Sequence, residues 1–100
     1  MQERDEADYV RAVIAVAKRL LDKREAGEAY VAVKDGAPDE EAIQHRYIEA
    51  VGEYKGAYEL TAELFHVPVG YVIISAGAIA DALESAKQGL ADEKGGEADA

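Results

Sequence analysis

From Tyr9 to Leu21 the apolar residues Val10, Val13, Ile14, Ala17, Leu20 and Leu21 recur at steps of three and four, while Arg11, Lys18, Asp22 and Lys23 fall largely off that stripe. This is the period of an amphipathic helix. Asp5 or Asp8 is placed to cap its start. Gly27 is a candidate stop behind Lys23 and Arg24, whose charges suit the negative end of a helix dipole. The next run, Glu28 to Lys34, is short and partly β-branched, and Asp-Gly-Ala-Pro-Asp follows it as a turn signal.

A second helix is expected to begin at Pro38-Asp39-Glu40-Glu41, where carboxylates meet the free amides of a first turn. Its stripe of Ile43, Tyr47, Ala50, Val51, Tyr54, Ala57, Tyr58, Ala62 and Phe65 keeps helical phase through Gly52 and Gly56. Residues 39–65 are therefore one helix, or two with a break near Gly56. Beyond His66-Val67-Pro68, a third stripe runs through Val69, Val72, Ile73, Ala76, Ile79, Ala80, Leu83, Ala86 and Leu90. Ile74, Gly77 and Ala78 add apolar or small surface on a second side, which marks either a central helix or a self-association surface.

These patterns predict an all-α fold: a compact bundle of three to four helices in a single domain over residues 1–91, with a disordered acidic tail at 92–100. One short strand pair, 28–34 with 71–75, is the competing reading of those two runs. No internal repeat is present.

Composition narrows the picture. Leu, Ile, Val and Phe supply 22 residues and Ala another 20, so the core must obtain by close packing what it lacks in side-chain bulk. The absence of Cys removes disulfides, thiolate metal sites and a cysteine nucleophile. The net charge of −10 opposes unspecific attraction to nucleic acid or anionic lipid. It is unevenly spread: residues 9–25 carry +3 and residues 39–65 carry −5, so the first helix is expected to lie against the second. The acidic start is neither a secretory signal nor a transit peptide, and the charge-free run from Val67 to Ala80 is too short to span a bilayer. A soluble, cytoplasmic protein without a membrane role is expected.

Residues 60–75, with Ala62 as the small residue before a turn and Phe65, Val67 and Val72 at packing positions, resemble the helix-turn-helix of bacterial and phage regulators. His66 departs from that pattern, which has Gly there, and Thr61 stands where a larger aliphatic is usual. The resemblance implies a recognition helix. However, where a recognition helix needs Arg, Lys, Asn, Gln or Ser for base edges and phosphates, this one offers Val69, Gly70, Tyr71, Ile73, Ile74 and Ser75, and no cation follows before Lys87. Nucleic-acid contacts would then have to come from Arg11, Lys18 and Arg19.

Glu63 and His66 have the Glu-x-x-His spacing of di-iron bundles, with Glu59 one turn earlier, but all three lie off the core stripe. His45 and Glu49 form an expected surface pair. No nucleophile motif, phosphate loop or dinucleotide fingerprint is present, so neither catalysis nor a cofactor or metal is expected. The Gly-x-x-x-Gly of Gly52 and Gly56 permits close approach by another helix, with one from the same chain as the simplest partner.

The function expected from these features is a small acidic, non-catalytic protein-interaction module: a regulator, adaptor or inhibitor. Its interaction surface comprises Tyr71, Ile73, Ile74, Gly77 and Ala78 together with the tyrosine face Tyr47, Tyr54 and Tyr58. A homodimer through the apolar third helix is expected as well as a protein partner. The acidic residues Asp39, Glu40, Glu41, Glu49, Glu53 and Glu63 would allow mimicry of nucleic acid as a special case. The alternatives are a helix-turn-helix transcription regulator and a carboxylate/His metal-binding helical protein.

Overall fold

The computed structural model describes residues 3–99, which form three helices: α1 (Glu3–Ala32), α2 (Glu40–Phe65) and α3 (Val69–Asp99). No strand occurs among the described residues, so the strand pair is replaced by helix at both 28–32 and 71–75. Each of those runs continues an apolar helical stripe, and packing along the stripe outweighs a short β-branched preference. Asp5 and Asp8 lie inside α1 rather than at its cap, because the helix already begins at Glu3. α2 is one unbroken helix, preceded by Asp39 and carrying Glu40 and Glu41 in its first turn. α3 continues as helix to Asp99, across the segment that composition assigns to a disordered tail. Glu93, Lys94, Glu97 and Ala98 are good helix formers there, and Gly95 and Gly96 are not.

α1 passes straight through Gly27. A Cβ at Gly27 would meet Tyr47 Cε1 at 3.4 Å, and the Tyr47 ring stacks on Tyr30 at 5.1 Å between centroids. Gly27 is therefore the place where a ring of α2 lies over α1. At the other end, Tyr9 meets Phe65 edge-on at 5.3 Å, so α1 and α2 run antiparallel. Only His66, Val67 and Pro68 separate α2 from α3. His66 is left-handed (φ 55°, ψ 44°), the conformation for which glycine is favoured, and caps α2 through its backbone N–H.

α3 starts beside the Tyr9 end and runs in the same direction as α1, since Arg24 reaches both Asp81 and Glu84. α1 packs against both other helices, whereas α2 and α3 touch each other much less. The core is a single cluster of Val13, Val16, Ala17, Leu20, Tyr54, Ala62, Val72, Ala76 and Ala80. Ala17, Val72, Ala76 and Ala80 are completely buried, so α3 is held to α1 largely through alanine surfaces. Tyr54 adds bulk, packing edge-on against Tyr58 at 5.0 Å and under the Lys23 ammonium at 5.2 Å.

The molecule measures 49 × 43 × 16 Å. Its short dimension is the depth of two helices packed at roughly 10 Å, and no third layer covers either broad face. The radius of gyration, 16.9 Å, exceeds the roughly 13 Å of a compact 100-residue domain. The expected compactness is thus not reached, because three helices this long share only one narrow seam.

Candidate interaction surface

On α3 the completely buried residues Val72, Ala76 and Ala80 repeat every four positions and face α1. Tyr71, Ile74 and Ala78 lie on the opposite side of that helix. Tyr71 is 65% exposed and Ile74 75%, with Ala78 exposed beside them, while Ile73 and Gly77 are half-buried on the flank. Of the five residues, Tyr71, Ile74 and Ala78 thus lie on one outward face, while Gly77 and Ile73 turn from it toward the buried stripe.

The tyrosine face is a correction. Tyr54 is buried, and Tyr47 and Tyr58 are half-buried, all three serving the chain's own helix contacts. Tyr54 sits in the core cluster with Tyr58 packed against it, and Tyr47 stacks on Tyr30 at the α1–α2 contact, so the three rings do not form one free face. Burial pushes the Tyr54 phenol above its ordinary pKa, helped by Tyr58 and opposed by Arg24.

The charged residues divide in the same way. Arg19 binds Glu53 at 3.0 Å, and Arg46 lies 4.0 Å from Glu25, so α1 and α2 exchange charges in both directions. Arg24 turns to α3, donating to Asp81 at 2.8 Å and Glu84 at 3.0 Å. Its guanidinium pKa is raised by the Glu84 bond first and then by Asp81. Glu49 takes the expected partner, His45 Nε2, at 3.2 Å. Glu40 accepts hydrogen bonds from the Gly36 amide and from Gln44. Asp39, Glu41 and Glu63 are exposed. The six acidic residues thus do not form one free line, because Glu40, Glu49 and Glu53 have local work. Arg11 and Lys18 are exposed on α1, with Arg11 3.7 Å from Asp8, and Arg19 is turned aside to α2.

Glu59, Glu63 and His66 are all exposed, and no group of three metal-ligating side chains occurs among the described residues. An open groove of about 800 Å³ lies where α1 ends beside the start of α2, lined by Arg24, Gly27, Tyr30, Val31, Tyr47 and Glu84. The sequence reading missed it, since its walls come from all three helices.

Apolar exposure extends beyond α3. Ile48, Leu60 and Leu64 on α2 are 67%, 55% and 64% exposed, and Val31 at the end of α1 is 83% exposed. The total accessible surface is 7398 Å², against about 5,500 Å² expected for a compact protein of this mass. Residues 85–89 of α3, all exposed, account for part of the excess. Val69–Gly89 is long and apolar enough, by length and composition only, to cross a membrane. Within that stretch, however, Asp81 and Glu84 are engaged by Arg24 of α1. Comparison with known protein families, with curated proteins and with solved structures finds no match to this chain.

Proposed function

We propose that the chain is a non-catalytic protein-interaction module that presents the outer face of the first half of α3 to another protein. The carrying observation is the exposure of Tyr71 and Ile74 directly opposite the buried Val72–Ala76–Ala80 stripe. Leaving two large apolar side chains in water forgoes about 1.5–3 kcal/mol each relative to burial, and an aromatic beside an aliphatic is a common anchor pair in protein interfaces. Exposed Ala78 lets a partner surface come close to the helix backbone. The acidic exterior favours a partner with a basic rim around an apolar centre.

The test is retention of a binding protein from extract of the source cells by immobilised chain, with and without Tyr71→Glu/Ile74→Glu. Both side chains are exposed, so helicity and melting stay as in the wild type. Loss of the retained protein in the double variant is the expected result. Equal retention by both, or none by either, overturns the assignment.

A further inference from the structure

Gly52 and Gly56 lie in the interior of α2, yet a Cβ built at either meets nothing within 4 Å. The close packing within the chain that their spacing suggested does not exist. Each glycine weakens the helix, and the fold gains nothing from it in return. Both stand on one ridge of i, i+4 steps, Ile48–Gly52–Gly56–Leu60–Leu64, whose three large members are all more than half exposed.

We propose that this ridge is where a second copy of the chain docks, α2 crossing α2 about a two-fold axis at the level of Ala57. Ridges of i±4 steps pack into one another at a crossing of about 50°. The ridge residues then stay in contact along its length, and the side chains flanking it meet only close to the axis. In antiparallel register about Ala57, Leu60 of each copy falls between the levels of Gly52 and Gly56 of the other, so a large side chain meets an open pair of glycines. Leu64 falls between the levels of Gly52 and Ile48 in the same way.

Charge supports this register independently. Lys55 and Glu59 are exposed and 3.9 Å apart within one helix. Beside the two-fold axis, Lys55 of each copy stands level with Glu59 of the other, giving an alternating cluster of four charges. An isologous contact of this kind closes on itself and leaves the α3 face free. The dimer is therefore independent of the partner-binding reading above.

The glycines give the test opposite signs. With open space over its Cβ, Gly56→Leu improves α2 as a helix and fills the gap that Leu60 of the second copy needs. By light scattering after size exclusion at about 50 µM, the wild type is expected to be dimeric. Gly56→Leu should be monomeric, with helicity equal to or above that of the wild type. Lys55→Glu and Glu59→Lys should each weaken the dimer at least tenfold, and the double swap K55E/E59K should restore it. A wild-type monomer at this concentration, a dimer unaffected by Gly56→Leu, or a dimer abolished by Tyr71→Glu/Ile74→Glu would overturn the proposal, the last by placing self-association on α3.

Discussion

Ala76 is completely buried at the centre of the α3 stripe, in one cluster with Val13, Val16, Ala17 and Leu20 of α1. Ala76→Leu adds three carbons where none fits, and overpacking of this kind costs about 1–3 kcal/mol. The stripe it disturbs is modest. At about 0.8 kcal/mol for each buried methyl-sized group and about 2 for the valine, Val72, Ala76 and Ala80 hold α3 with about 3–4 kcal/mol. The Arg24 pairs add little more, because Asp81 and Glu84 are at least half exposed. A loss of about 2 kcal/mol is then more than half of the attachment. It should lower the thermal midpoint by roughly 8–16 °C for a chain of this length. Circular dichroism gives the midpoint, and hydrogen exchange shows where protection is lost. Amides of α3 are expected to exchange faster than those of α1 and α2. Ala76→Ser, nearly the same size, serves as the control for local polarity. An Ala76→Leu protein that melts at or above the wild-type temperature would refute the reasoning, since it would mean that the seam has spare room.

Three further outcomes follow from single residues. The Tyr9 hydroxyl is buried without a hydrogen-bond partner, so Tyr9→Phe should raise stability by about 1 kcal/mol in urea unfolding. His66 holds a left-handed conformation that costs a side-chain-bearing residue about 1–2 kcal/mol; His66→Gly should therefore raise the midpoint by a few degrees, net of glycine's greater freedom when unfolded. The Tyr54 phenol is raised in the folded state, so its contribution is complete below the ordinary tyrosine pKa of about 10 and is lost as pH rises from there through the folded value. Tyr54→Phe should make the alkaline fall in stability shallower, and an unchanged slope would show that the phenol is not shielded.

The second helix was largely legible in the sequence, because Pro38 to Glu41 fixed its start and the stripe from Ile43 to Phe65 never lost phase. α1 was legible as a helix but not in its extent. Gly27 reads locally as a stop, and only the Tyr47 ring lying over it shows why the helix continues. The charge division predicted that α1 and α2 would meet, as Arg19 and Glu53 do, but it could not see that Arg24 belongs to α3. Five residues separate the two arginines, about 140° around a helix, so they must point to different neighbours. The α3 face emerged directly from the small and apolar residues opposite the stripe. The tyrosines did not sort, because aromatic periodicity is the same whether a ring faces a neighbouring helix or water. The glycine ridge could be assigned only once the space above it was known to be empty.

α1 is the spine of this chain, with α2 and α3 hung from it as two leaves that barely meet. Such a layout separates their fates. The seat of α3 on the rest of the chain is the narrow stripe of Val72, Ala76 and Ala80, while the Tyr71–Ile74 face looks outward from the same helix. A load placed on that outer face is therefore carried into the molecule largely by three small side chains and by the short link His66–Pro68.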